Sequence, residues 1–113
     1  MHMDAAQPLS KDEIIKTLQS YGISVYVTEL DVDLSKVSGP NRDKIQGDLF
    51  STVARACLEA GACKGITFWE APGDQFNWLE NYLHEPNANG TLYIDNLKPK
   101  LAYYEFMRAL YLR

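Results

Sequence analysis

Two short runs rich in β-branched and aromatic residues flank a long helical pattern in the middle of this chain. The first run is ISVYVTEL at residues 23–30, and the second is KGITFW at residues 64–69. Residues 43–60 between them place apolar side chains at helical spacing, and Gly61 is a suitable helix stop. Strands connected through a long helix pair in parallel, with a right-handed crossover. The order predicts part of a parallel α/β sheet, and the apolar first run predicts a strand covered on both faces.

Another helical pattern precedes the first strand. Residues 10–21 begin with SKDE, in which Ser10 can cap the helix and Glu13 completes a capping box. Gly22 can end the helix in the left-handed conformation. The apolar residues predicted to share its inward face are Ile14, Ile15, Leu18 and Tyr21.

The rest of the chain predicts loops and one last helix. Residues 31–42 are polar and contain the turn signal SGPN, and residues 70–90 predict a long loop with a helical turn near residues 76–83. Residues 91–95 predict a short extended piece. A final helix is predicted at residues 101–112, with an inward face formed by Tyr103, Phe106, Met107 and Leu110.

Length and charge limit what the chain can be. Its 113 residues allow one domain, which we expect at residues 10–113 after a leader or disordered tail at residues 1–9. That tail lacks the apolar core of a signal peptide. The net charge is −4 without a block of like charges, which argues against binding to nucleic acid or to an anionic membrane. Apolar runs are short, so we expect no segment that spans a bilayer.

Cys57 and Cys63 lie near the end of the long helix and the start of the second strand. They are not accompanied by a second Cys or His set at zinc spacing, so we expect no metal site and no cofactor. The pair could be two buried thiols or one short-loop disulfide, and composition favours neither. A bridge would imply an oxidising compartment.

The strand ends carry the residues best suited to chemistry. In parallel α/β sheets, ligands bind beyond the carboxyl ends of the strands. The first strand offers Glu29 and Asp31, and the second offers Trp69 and Glu70, with Trp78 farther along. A carboxylate can attack or stabilise an oxocarbenium-like centre, and an indole can stack on a sugar ring. The residue types at this rim therefore suggest a sugar site.

Each of these residues also has a simpler interpretation. Glu29 could be a solvated acid at a strand end, and Trp69 and Trp78 could be core aromatics. His84 is expected to be a surface residue of the long loop. Three cationic residues near the end of the chain are expected to be solvated: Lys98, Lys100 and Arg108.

Five segments between residues 22 and 110 follow an order found in one enzyme family. They are the T-E-L-D within VYVTELDVD; Gln46, Phe50, Val53, Ala56, Cys57 and Leu58 in a helix of the form Q-A-x-x-Y-x-x-V-x-x-A-C-L; CKGITFW, compared with C-x-G-I-T-x-W; Asp74 and Trp78, compared with D-x-x-S-W; and TLYID with Pro99, Lys100, Ala102 and Tyr103, compared with L-L-F-D and P-K-P-A-Y. In this order the segments resemble the family 10 glycoside hydrolases, the endo-1,4-β-xylanases.

The resemblance implies a fold. The chain would be the last quarter of a TIM (β/α)8 barrel, completed by association or by a missing N-terminal part. The helix at residues 10–21 would be the sixth, the strand at residues 23–30 the seventh, and the strand at residues 64–69 the eighth. The exposed edge of a parallel strand and an uncovered barrel interior predict a homo-oligomer or pairing with a complementing N-terminal barrel part.

The resemblance also implies roles for residues. Glu29 would be the nucleophile of a retaining endo-1,4-β-xylanase acting on xylan or xylo-oligosaccharide, and Trp69 and Trp78 would line its sugar subsites. Cys57 and Cys63 would form a disulfide, which implies a secreted protein.

One part of the family pattern is absent from this sequence. The acid/base Glu of the family lies on the fourth strand, yet retaining hydrolysis needs two carboxyl groups about 5–5.5 Å apart. Glu70 stands where the family usually has Gly, beside the strand of Glu29, and is our hypothesis for a second carboxylate. Alone, the chain is expected to be weakly active or inactive. The alternatives are a xylan-binding module without catalysis and an inert, oligomerising barrel fragment.

Overall fold

The computed structural model describes residues 1–69, 78–81, 84, 87–94 and 97–112. Its elements, in chain order, are β1 (His2–Asp4), α1 (Lys11–Ser20), β2 (Val25–Asp33), α2 (Arg42–Ala60), β3 (Cys63–Phe68), α3 (Trp78–Asn81), β4 (Tyr93–Ile94), β5 (Lys98–Pro99) and α4 (Leu101–Tyr111). Among these residues, no helix combines the length and apolar character that crossing a bilayer requires.

A parallel sheet of three strands organises the described residues. Its order is β1-β2-β3, while β4 and β5 form a separate antiparallel pair. The predicted parallel pairing of the two long strands is confirmed, with Val25 opposite Cys63 and Leu30 opposite Phe68. The long helix α2 makes the crossover between them and ends at Gly61, whose φ is 67° as a left-handed helix stop requires.

The start of the chain differs from the expected leader or disordered tail. His2–Asp4 pairs in parallel with residues 31–33 of β2, and the Ala5 N–H donates to the Asp33 carbonyl at 2.9 Å. Met3 and Ala5 are buried, with 4% and 6% of their surface exposed. The two apolar side chains enter the core while the backbone pairs with β2, and together these interactions make a short polar stretch into a strand.

Helix α1 begins as the sequence predicts. The Glu13 N–H donates to Ser10 Oγ at 3.3 Å, and the Ser10 N–H donates to the Glu13 carboxylate at 2.8 Å. The hydrogen bonds that the Ser10 N–H and hydroxyl donate to the Glu13 carboxylate lower its pKa. The inward placement predicted for Tyr21 is wrong, because α1 has ended there and 62% of its surface is exposed. Residues of α1 that are buried are Ile14 and Leu18.

The helices cover only one face of the sheet. Phe50 and Val53 of α2 are fully buried, and the Phe68 ring of β3 meets the Phe106 ring of α4 edge to face at 4.9 Å. Val27 of β2 is 3% exposed, whereas its neighbour Tyr26 is 65% exposed. Since successive residues of a strand point to opposite faces, β2 has one packed face and one open face as far as Glu29. The predicted strand covered on both faces is therefore wrong for this part of β2, whereas Leu30, Asp31 and Val32 are all buried.

The end of β2 lies between β1 and a segment from much later in the chain. We call residues 87–92 the return segment. The Val32 N–H donates to the Gly90 carbonyl at 3.0 Å, and the Leu34 N–H donates to the Ala88 carbonyl at 2.8 Å. Val32 and Leu34 are completely buried as a result. The predicted polar loop at residues 31–42 is therefore wrong for residues 31–33, which belong to β2.

Lys100 also departs from its prediction as a solvated cation. Only 9% of its surface is exposed, and its Nζ donates to the carbonyls of Asn89 and Thr91 at 2.7 and 2.8 Å. Lys98 is exposed, and the Arg108 side chain is 65% exposed, as predicted. Lys100 differs because its backbone N–H donates to the Leu92 carbonyl and holds it beside the return segment, whose carbonyls replace water around the ammonium group.

Candidate active site at the end of β2

A bulge in β2 carries Glu29. The register between β2 and β3 shifts between Val27 and Leu30, and Glu29 within that interval has a φ of 55°. This left-handed conformation is costly for a residue with a Cβ, and bulges of this kind change the direction in which a side chain points. The Glu29 side chain is 48% exposed, near the carboxyl end of the part of β2 that pairs with β3.

A histidine connects Glu29 to a buried acid. His2 of β1 places its Nε2 3.4 Å from Glu29 Oε2 and its Nδ1 2.9 Å from Asp31 Oδ2. The His2 side chain is 42% exposed, whereas that of Asp31 is 1% exposed. Parallel pairing produces this arrangement, since His2 lies opposite Asp31 in the register of β1 and β2. We call His2, Glu29 and Asp31 the carboxylate–histidine cluster.

The cluster is suited to hold a carboxylate in one orientation. An ionised carboxylate only accepts hydrogen bonds, so a neutral His2 can donate either from Nδ1 to Asp31 or from Nε2 to Glu29, and the 2.9 Å contact favours the bond to Asp31. Protonated His2 would donate to both carboxylates. The buried Asp31 fixes the imidazole ring, and the ring limits where the Glu29 carboxylate can lie. A half-exposed carboxylate held in this way can serve as a nucleophile or stabilise a developing positive charge.

The structure describes some of the other predicted site residues and not others. Trp69 follows β3 directly, is 37% exposed, and donates its backbone N–H to the Leu30 carbonyl at 3.1 Å. This hydrogen bond joins the backbone just after β3 to the backbone of β2, next to the bulge. Glu70 and the side chain of Trp78 lie outside the described residues. His84 is exposed, as predicted for a surface residue.

His2 was missed by the reasoning from sequence, which assigned it to a tail. Four residues of alternating polar and apolar character, His2 to Ala5, are too few to identify a strand. A usable signal does exist, because a strand must precede α1 if the pattern of strand and helix extends backward along the chain. A histidine on that strand would reach the same rim as Glu29.

Cys57 and Cys63 are joined by a disulfide in the structure. The bond ties the last turn of α2 to the first residue of β3 and closes the tight turn at Gly61. Of the two alternatives open from composition, the structure has the bridge. The described residues contain no group of three or more His, Cys, Asp and Glu side chains suited to hold a metal ion.

Residues 1–109 match the family model described as Glycosyl hydrolase family 10. This chain belongs to glycosyl hydrolase family 10. One family 10 relative, endo-1,4-beta-xylanase B of Humicola insolens, is 28% identical over 104 residues, which make up 89% of this chain and 28% of the relative. Another, endo-1,4-beta-xylanase 2 of Aureobasidium pullulans, is 27% identical over 97 residues, or 86% of this chain and 26% of the relative.

Solved structures show the same family 10 fold. Xylanase 10B from Thermotoga petrophila RKU-1, crystallised with xylobiose, superposes with a TM-score of 0.81 at 27% identity over 99% of this chain and 35% of that one. Native xylanase 10B from Thermotoga maritima superposes with a TM-score of 0.82 at 27% identity, with the same coverage. The chain thus spans about a third or less of the length of these relatives, and it is part of the TIM-barrel fold of family 10.

Proposed function

We propose that this chain supplies the nucleophile of a retaining endo-1,4-β-xylanase, and that Glu29 is that nucleophile. The observation that carries the proposal is the position of Glu29 near the carboxyl end of the part of β2 that pairs in parallel with β3, with its carboxylate 3.4 Å from the ring of His2. Catalytic groups of such barrels lie at this end of the strands. Membership of family 10 and the xylanase relatives supply the substrate class, which is xylan or a xylo-oligosaccharide.

The proposed reaction uses Glu29 twice. Its carboxylate attacks the anomeric carbon of a β-1,4-xylosyl unit, the leaving sugar departs with a proton from an acid, and water then releases the sugar from Glu29. His2 and Asp31 orient the carboxylate for the attack. Trp69, partly exposed at the same rim, and Trp78 stack on the sugar rings at the neighbouring subsites.

The acid must come from another carboxyl group about 5–5.5 Å from Glu29. Asp31 is unsuited to the task, because it is 1% exposed and faces His2. We propose that the acid is supplied by another part of the barrel, with Glu70 as the alternative within this chain. Unchanged hydrolysis by a Glu70→Gln variant would eliminate Glu70 as the donor.

In the complete barrel we assign β1, β2 and β3 to strands six, seven and eight. Both sides of this sheet have room for further strands. Within the described part of the chain, β1 pairs only with residues 31–33 of β2. A groove of about 350 Å³ lies beside the earlier part of β2, lined among others by Leu18, Tyr21 and Ile23. β3 has one strand neighbour among the described residues. We propose that an N-terminal barrel part, or a second copy of this chain, covers these edges. The disulfide between Cys57 and Cys63 supports a secreted protein.

A fluorinated xylobioside with a dinitrophenolate leaving group tests the nucleophile directly. This leaving group departs without an acid, so the missing carboxyl group does not prevent formation of the sugar–enzyme ester. We expect mass spectrometry of a proteolytic digest to place one xylobiosyl group on Glu29, and none on a Glu29→Gln variant. Labelling of a different carboxylate, with Glu29 unmodified, would contradict the assignment.

A second candidate function is xylan binding without cleavage. It is favoured by Trp69, which is 37% exposed at the rim and available for stacking even in a chain without an acid. Retention of the chain on insoluble xylan, lost in Trp69→Ala and kept in Glu29→Gln, combined with the absence of the ester, would support binding alone.

A further inference from the structure

Two buried donors, one within α2 and one just before α4, hold the return segment in place. Gln46 of α2 is completely buried, and its Nε2 donates to the Val32 carbonyl at 3.0 Å and to the Asn89 carbonyl at 2.6 Å. Lys100 precedes α4, and its Nζ donates to the Asn89 and Thr91 carbonyls. The Asn89 carbonyl thus accepts from both side chains. Gln46 also joins β2 to the return segment, since Val32 and Asn89 share its amide group.

The return segment in turn packs on the buried acid of the cluster. A Cβ added at Gly90 would lie 3.4 Å from the Cβ of Asp31 and 3.6 Å from the Val32 carbonyl oxygen. The space between the Gly90 backbone and the Asp31 side chain therefore has room for no more than one carbon atom, and Leu79 Cδ1, 2.6 Å from the same position, occupies part of it. The hydrogen bond from the Val32 N–H to the Gly90 carbonyl keeps the two backbones at this separation.

Asp31 has little freedom in this environment. Its pairing with His2 in β1 lies on one side of β2, and the return segment closes the other side. The Asp31 carboxylate contacts His2 Nδ1, and His2 Nε2 faces Glu29. A displacement of the return segment therefore alters the position of Asp31 first, the imidazole next, and the Glu29 carboxylate last.

We propose that Gln46 and Lys100 are positioning residues for Glu29. They hold the return segment against β2 and so fix the Asp31 carboxylate that orients His2. This role rests on the proposed function where it concerns catalysis, but the orientation of His2 can be measured without any reaction. Neither side chain reaches the open rim: Gln46 is completely buried and Lys100 is 9% exposed.

The test compares Gln46→Met and Lys100→Met with Val53→Ala in the full chain. Methionine keeps much of the volume of either side chain and removes its hydrogen-bond donors. Val53 lies about two turns farther along α2 and is also fully buried, so its truncation weakens the core without removing a bond to the return segment. The measurement is the ¹⁵N spectrum of the His2 ring, which distinguishes Nδ1–H from Nε2–H.

At a pH where the ring is neutral, we expect wild type and Val53→Ala to show two well-separated resonances for a fixed Nδ1–H tautomer. In Gln46→Met and Lys100→Met the two resonances should move toward the common value of a ring that exchanges between tautomers. Unchanged His2 resonances in both folded variants would overturn the proposal. Failure of the ester to form on Glu29, with the His2 changes still present, would count against the proposed function alone.

A measurement on the unaltered chain covers the case in which both variants unfold. If the return segment fixes Asp31, two changes should occur at the same temperature as the sample is warmed toward the unfolding transition. The Val32 and Leu34 amides should lose their protection from hydrogen exchange, and His2 should lose its single tautomer. Loss of the tautomer while these two amides remain protected from hydrogen exchange would refute the positioning role.

Discussion

The backbone of Glu29 leads to a prediction in which glycine stabilises a strand. At an ordinary strand position, glycine destabilises a protein by about 0.5–1 kcal/mol relative to alanine. Glu29 has a φ of 55°, a conformation that costs an L-residue about 1–2 kcal/mol and costs glycine nothing comparable. Glycine also has more conformational freedom than alanine in the unfolded chain, which reduces its stability advantage at this position by about 0.4–1 kcal/mol. Glu29→Gly should therefore exceed Glu29→Ala in stability by about 0.5–1 kcal/mol.

The comparison between these two variants isolates the backbone. Both remove the carboxylate and its contact with His2, so the loss of that contact cancels in the difference. The assay is urea unfolding followed by circular dichroism, supported by thermal unfolding, in which the gain corresponds to roughly 4 °C in Tm. Thr28, exposed in the same strand and without a positive φ, is the matched control, and there glycine should be less stable than alanine.

The stability difference at position 29 tests whether the bulge in β2 is strained. A Glu29→Gly variant less stable than Glu29→Ala, by the same amount as at Thr28, would show that the bulge stores no strain. The expected result would mean that the backbone conformation that places Glu29 at the rim of the sheet lowers the stability of the protein, as is common for strained functional residues.

Three further results are expected. Replacing Cys57 and Cys63 together by serine should lower the free energy of unfolding by about 2 kcal/mol, since the bridge closes a loop of sequence separation 6, and equal stability of the reduced and oxidised wild type in urea would contradict this. The hydrogen bond from Lys36 lowers the pKa of Asp4. The bond therefore stabilises the fold above the ordinary carboxyl pKa, and the stabilisation is lost as the pH falls through the lowered pKa. Lys36→Met should reduce stability near neutral pH, with the difference from wild type disappearing in acid, and a pH-independent difference would exclude this linkage. Phe50→Ala should cost about 3–5 kcal/mol in chemical unfolding because the ring is fully buried, and a loss below about 1 kcal/mol would mean that the core collapses around the gap.

Local signals in the sequence predicted the elements whose causes are local. The capping box of Ser10 and Glu13 starts α1 by hydrogen bonds within one turn, and Gly61 ends α2 through its own backbone conformation. The parallel pairing of β2 and β3 followed from the length of the helix between them. The family resemblance rests on the same local runs, since each motif lies within one element.

Contacts between distant segments explain the errors. Lys100 is polar in sequence and buried in the structure, because carbonyls of the return segment surround its ammonium group. Tyr21 shares the helical spacing of the core residues, yet it points outward because the helix ends before it. β1 is too short to be found by alternation and depends on the edge of β2 for its backbone partners.

The sequence by itself determined the main helices, the two long strands and their parallel direction, because each of these depends on neighbours within a few residues or on one connecting helix. It placed Glu29 at a strand end, whereas β2 continues to Asp33. Only the tertiary structure decided that His2 faces Glu29, that Asp31 is buried behind it, and that the return segment closes over Asp31. His2 and Asp31 are 29 positions apart along the chain, and the return segment is farther still from β2. The energies of these contacts depend on burial and register, which no local pattern encodes.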